Sequence, residues 1–172
     1  MINSFEKYVI PSVEANFKSL VRIGDEMGNI ILANGETLSF DPEFKLWFKW
    51  SYAQEWVNEL QNLCDVGAGF PFLFVNANKI KQEGDTFTIK EMVVATQSNV
   101  NWSAEEKRLY VINPILLNLR DALIQALRDT YAVQEPFNPS TEVIYSEKEN
   151  KSLLPEGVDA VLFTNIKIRT IC

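Results

Sequence analysis

Between Ser4 and Met27 the apolar residues Phe5, Tyr8 or Val9, Val13, Phe17, Leu20 and Val21 recur at helical spacing, with Glu6, Lys7, Glu14, Lys18 and Arg22 mostly between them. This spacing predicts an amphipathic helix. Pro11 kinks or restarts it, since proline removes a backbone donor and clashes with the preceding turn, and Gly28 is placed to end it. The stripe covers one face of the core or, in the sharper reading, packs in part on a neighbouring subunit. Asn29–Ala33 and Glu36–Phe40 flank Asn34-Gly35, a pair suited to a type I′ turn, and predict a β-hairpin. The aromatic stretch Phe44-Lys45-Leu46-Trp47-Phe48-Lys49-Trp50 reads as a strand whose aromatic face packs on the core; an exposed Trp47/Trp50 patch would instead mark a partner surface.

Ser51 and Gln54 have the form of a capping box, and Ala53, Trp56, Val57, Leu60, Leu63 and Cys64 continue as a helical stripe to about Cys64. Asp65-Val66-Gly67-Ala68-Gly69 follows a helix and precedes a strand, the reverse of a phosphate loop, and reads as a turn. Phe70 to Asn76 is a short apolar strand with Pro71 near its start. A polar run, Asn78 to Asp85, turns the chain back.

The clearest unit runs from Thr86 to Leu127. An apolar strand is predicted from Phe87 to Thr96, with Met92-Val93-Val94-Ala95 apolar on both faces as in a central strand. Ser103 and Glu106 form a capping box, with Trp102 set to staple against the aliphatic stem of Lys107. Asn113-Pro114 restarts the helix, asparagine as N-cap and proline at the first position. Leu116, Leu119, Leu123 and Leu127, with Ile115, Ala122 and Ala126, then define its buried face. Tyr131 to Ser140 reads as a loop, Glu142 to Tyr145 as a short strand, Glu147 to Ser152 as a solvated tip and Asp159 to Ile171 as a terminal strand. A terminal strand is often an edge, guarded by charge or paired with another molecule.

These elements predict an α/β (α+β) fold: a single domain, with a mixed or antiparallel sheet of about four to six strands, an N-terminal helix and two to three further helices. The 172 residues are 47% apolar, enough to bury about two-thirds of the unfolded surface in one core. No apolar window reaches the roughly 20 residues of a membrane span, and the first residues lack the layout of a secretory signal, so a cytoplasmic protein is expected.

The chain has no histidine, which removes Ser-His and Cys-His nucleophile pairs, imidazole bases and His-containing metal sites. Its two cysteines, Cys64 and Cys172, suggest neither a disulfide framework nor a metal site. The net charge of -7 argues against gripping nucleic acid. The acidic pairs Glu105/Glu106 and Asp41/Glu43 are explained by helix-start charge and turn acidity better than by general acid-base work. No catalytic constellation, cofactor site or metal site is expected, and the reading is of a non-enzyme.

Several segments together resemble a family. Phe70-Pro71-Phe72-Leu73-Phe74-Val75, Met92-Val93-Val94-Ala95-Thr96, Asn101-Trp102-Ser103-Ala104-Glu105-Glu106-Lys107-Arg108, Ile112-Asn113-Pro114-Ile115-Leu116 with Leu119, and Gly157-Val158-Asp159-Ala160-Val161 leading to Asn165-Ile166-Lys167-Ile168 look like the tail-terminator or tail-completion proteins of tailed bacteriophages and prophages, in a form familiar from phages of Bacteroides-like bacteria. The similarity covers roughly Phe70 to the C-terminus.

The resemblance implies a virion structural protein that forms a ring, commonly a hexamer, which ends tail-tube polymerisation and mediates head-tail joining. Its partners would be copies of itself, tail-tube proteins and neck or connector proteins. DNA would pass through without specific binding, past an acidic lumen that repels phosphates, and no membrane is involved. Assembly would take place in the bacterial cytoplasm, before the virion. The expected contact surfaces are the Gln82 to Thr86 turn, the Gln97 to Trp102 loop and the terminal strand, which single out Gln82, Asp85, Asn99, Asn101, Trp102, Arg108, Lys167 and Arg169. The alternative from another class is a cytoplasmic binding or adaptor domain that presents the Trp47/Trp50 region to a partner.

Overall fold

In a computed structural model the described residues are 2–20, 30–31, 37–38, 46–52, 71–98, 101–144 and 157–169. The predicted helix from Tyr52 to Cys64, the turn after it, the acidic pair Asp41/Glu43, the tip at 147–152 and Asn99 lie outside them. The fold is α+β. Helix α1 covers residues 2–20, and helix α2 covers 104–130. The strands are β1 (Ile30–Ile31), β2 (Thr37–Leu38), β3 (Trp47–Ser51), β4 (Phe72–Asn76), β5 (Ile80–Glu83), β6 (Thr86–Ile89), β7 (Met92–Gln97), β8 (Ser140–Ile144), β9 (Val158–Thr164) and β10 (Ile166–Arg169).

They form a five-stranded mixed sheet in the order β3-β4-β7-β9-β8, a three-stranded sheet β10-β6-β5 and the small pair β1-β2. Only β3 in the large sheet pairs in parallel, with β4. The two larger sheets are one bent ribbon. β4 leads through a 3-10 turn, Ala77–Lys79, into β5; β6 leads through Lys90-Glu91 into β7; β9 leads through Asn165 into β10. The strand order 4-7-9 therefore becomes 5-6-10 on the far side of the bend.

This bend corrects two sequence expectations. Phe87 to Thr96 is not one strand, and neither is Asp159 to Ile171. Glu91 breaks the first, because its carboxylate is buried and held by Asn76 Nδ2 at 3.1 Å and Lys79 Nζ at 2.8 Å. Asn165 breaks the second at a φ of 54°, a left-handed conformation that asparagine tolerates better than most residues. β1 and β2 pair antiparallel, Ile30 with Leu38 and Ile31 with Thr37, and the predicted Asn34-Gly35 turn lies outside the described residues.

Both helices pass a proline without a restart. The N–H of Ile10 bonds to the carbonyl of Phe5, and that of Leu117 to the carbonyl of Ile112, each five residues back. These π-wound stretches, Phe5–Val9 and Arg108–Leu116, widen the helix where Pro11 and Pro114 would otherwise crowd the preceding turn. Asn113 is therefore a residue within α2 and not its N-cap. The capping box at Ser103 and Glu106 forms as expected, with both hydrogen bonds at 3.2 Å.

The core lies between the helices and one face of the ribbon. Val13 and Phe17 of α1 meet α2, where Leu119, Leu123 and Leu127 are buried and Ala122 and Ala126, one turn apart, allow close approach. Leu73, Val75, Met92, Val94, Val161 and Phe163 form the sheet side of that core, and Ile89, Ile166 and Ile168 extend it past the bend. The opposite face of the large sheet is also apolar and buried, through Phe72, Phe74, Val93, Ala95, Val158 and Ala160. That fits the continuous apolar runs of β4 and β7. Phe5 lies 5.9 Å from the rings of both Phe48 and Trp50 and 6.0 Å from Tyr131, joining the start of α1 to β3 and the end of α2. Burial pushes the Tyr131 phenol up to about 12; its hydroxyl has no partner of good geometry, and the neighbouring Ser4 side chain offsets only part of the burial.

Candidate functional site

The three-stranded sheet and its turn carry four of the eight residues singled out from the sequence: Lys167 and Arg169 on the outer face, Asp85 in the turn, and Gln82 on the opposite side of β5, in register with Phe87 and Ile168. Strand alternation turns Ile80, Phe87, Ile89, Ile166 and Ile168 to the core and Lys81, Glu83, Thr86, Thr88, Lys167 and Arg169 outward. The register sets Lys81, Thr88 and Lys167 in one row and Glu83, Thr86 and Arg169 in the next. A two-residue turn, Gly84-Asp85, joins β5 to β6, with Gly84 at a φ of 63°, as a type II′ turn requires at its first position. The Gln82 side chain donates to the Gly84 carbonyl at 3.0 Å.

Ion pairs knit this face. Arg169 reaches Asp85 at 2.8 Å across the sheet, and Lys81 reaches Glu83 at 2.8 Å. The hydrogen bond and charge of Arg169 hold the Asp85 carboxyl below its usual range, and Asp85 in turn raises the guanidinium. The hydrogen bond and charge of Lys81 lower Glu83, with a smaller contribution from Lys167, and Glu83 raises Lys81. β10 is an edge strand guarded by charge, as expected of the last strand, and one further bridge pairs its Arg169 with Ala132.

Asn101, Trp102 and Arg108 lie elsewhere. β7 pairs with β9 from Met92↔Phe163 at the bend to Gln97↔Val158 at the other end, and the start of α2 follows from that far end. The candidates therefore form two separate groups. Trp102 does not staple to Lys107. Its ring packs edge-on against Tyr110 at 5.2 Å, because Lys107 points into the protein. Arg108 pairs with Glu105 on the helix surface. Trp47 and Trp50 likewise separate, since alternation leaves Trp47 45% exposed and turns Trp50 to the core beside Phe48.

Two polar clusters were missed in the sequence. Lys107, 3% exposed, donates to Oδ1 of the fully buried Asp159 at 3.0 Å, and the Ser98 hydroxyl donates to Oδ2 at 2.6 Å. Asp159 follows Val158 in an apolar strand, and Lys107 precedes Val111 by four residues on the buried face of α2; a charge at each of these apolar positions was the available signal. The second cluster is Asn76, Lys79 and Glu91 at the bend. Both can hold a strand or helix in place. Among the described residues no group of three acidic or cysteine side chains is arranged to hold a metal ion, and no helix is long and apolar enough to cross a membrane.

Open cavities among the described residues include two beside the helices and the small sheet. One, of about 360 Å³, lies between α1 and α2 and is lined by Asn16, Leu20, Ile124 and Arg128 among others. The other, of about 270 Å³, lies between β10 and the 134–139 segment. Compared with protein-family models, with curated proteins and with solved structures, the chain matches none.

Proposed function

We propose that the chain is a non-enzymatic structural protein of a tailed phage or prophage, which forms a ring at the tail end or head-tail junction, ends tube polymerisation and takes part in head-tail joining. The reading rests first on the sequence resemblance. The observation that supports it in the fold is the charged outer sheet, where the 82–86 turn and strand β10 share one surface. A closed ring needs two different, complementary surfaces on each subunit. The β10-β6-β5 sheet and the Asn101–Trp102–Arg108 group lie at opposite ends of the ribbon and are the two surfaces this reading assigns to the ring contacts. The negative net charge of -7 suits a lumen through which DNA passes without binding.

Deletion of the gene from an inducible prophage tests this. Overlong or headless tails are expected; tails of normal length joined to heads overturn the proposal. A second reading, an adaptor domain, is favoured by Trp47, half exposed on the edge strand β3. Under that reading Trp47→Ala abolishes partner capture in cells and leaves tail length unchanged.

A further inference from the structure

The 270 Å³ cavity has the features of an unfinished strand ladder. The segment from Ala132 to Ser140 runs antiparallel to the stretch from Thr164 to Arg169 and is pinned at both ends. Ala132 exchanges both backbone hydrogen bonds with Arg169, at 3.0 and 2.9 Å, and Ser140 pairs with Thr164. Between the pins the chain bows outward. Successive residues of a strand point their N–H and C=O to alternate sides, so those of Lys167 face the same side as those of Arg169, into the cavity. No backbone group among the described residues continues the ladder there.

The bow is held by α2. Arg128 donates to the Phe137 carbonyl at 2.9 Å and pairs with Glu135 at 3.4 Å, and Glu135 accepts the Phe137 N–H at 3.0 Å. The Glu135 charge is thus already engaged. The other polar residues that line it are Lys167, Gln134, Asn138 and Asn165; the Lys167 side chain springs from the outer face of the sheet, in the row of Lys81 and Thr88, where it also acts on the Glu83 carboxylate.

We propose that this cavity is a socket for the carboxylate end of an extended peptide, which adds to the β10 edge through the backbone of Lys167 and places its carboxylate at the Lys167 ammonium. Strand addition supplies the backbone bonds that Ala132 begins, and the carboxamides satisfy the remaining polar groups of the peptide. The socket goes beyond the ring reading and stands without it.

Amide NMR of the full chain tests it, with a pool of N-acetylated tripeptides randomised at each position and bearing a free carboxylate. Perturbation confined to residues 133–139 and 165–168 is expected, with much weaker perturbation from the same pool as C-terminal amides. Lys167→Gln should weaken binding roughly fivefold, the scale of an exposed ion pair. Lys167→Pro should abolish it, because proline also removes the N–H; the β6 ladder is spared, since that N–H points away from β6. Unchanged β6 amides in both variants verify the fold. No perturbation at these residues, equal binding of acids and amides, equal binding by Lys167→Pro and Lys167→Gln, or acetate binding as tightly as the tripeptides would each overturn the proposal.

Discussion

The two ends of the bent ribbon carry the same kind of interaction in opposite surroundings. At the α2 end Lys107 and Asp159 meet with almost no solvent contact, at 3.0 Å, while at the small sheet Arg169 and Asp85 meet at 2.8 Å with both side chains well exposed. Distance hardly distinguishes them, but burial does. A buried charge loses its hydration, so each partner depends on the other and on neighbours such as Ser98. An exposed pair exchanges protein for water contacts at little net gain. The first therefore governs whether α2 seats on the sheet, and the second mainly governs how the surface is charged.

The largest effect should follow from breaking the buried pair. Lys107→Met leaves Asp159 as an uncompensated buried carboxylate and should cost about 3–5 kcal/mol, whereas Lys107→Met combined with Asp159→Leu should recover most of the loss. Urea unfolding of the single and double variants measures both. A double variant as unstable as the single one would show that the pair is valued for more than mutual neutralisation.

Much of this fold can be read from the chain. The continuous apolar run of β7 and the capping box at Ser103 are local signals that no tertiary contact overrides, and both are found where the sequence puts them. The ribbon's bend was not legible: the core-facing positions shift from Phe87 and Ile89 to Met92 and Val94 across Lys90-Glu91, but Met92-Val93-Val94-Ala95 is apolar on both faces and hides that shift, and only the partners Asn76 and Lys79 make Glu91 a corner. The helix does not restart at Pro114 because five-residue winding over Arg108–Leu116 makes room for the proline within a continuous helix, an option that residue spacing alone does not report. Of the candidate surface, the turn at 82–86 and strand β10 were identified separately, and their shared face emerges only from the register through β6.

The corner itself is an intermediate case between the two ends. Glu91 is nearly buried, but Lys79 is about two-fifths exposed, so the ion pair adds little and the Asn76 contact matters more. Glu91→Ala strands the fully buried Asn76 amide and should cost about 1–3 kcal/mol. Glu91→Gln keeps an oxygen for that amide and should cost clearly less by the same unfolding measurement. Equal losses would mean that the Lys79 charge, and not the buried amide, holds the bend.

The smallest effect on stability, and the clearest on titration, is expected at the exposed end. Arg169 lowers the Asp85 carboxyl, so the folded pKa lies below the unfolded one; the pair's contribution is present above the ordinary aspartate range and is lost as pH falls through the depressed value. Glu83, lowered by Lys81, follows the same sign. Arg169→Gln keeps the backbone bridge to Ala132 while removing the charge. It should return the Asp85 titration, followed by side-chain carboxyl NMR, to the ordinary range without a measurable change in the neutral-pH melting temperature. If the melting temperature instead falls while the Asp85 midpoint stays low, then exposure does not separate the two ends, and the small sheet depends on its surface charges as α2 does on its buried pair.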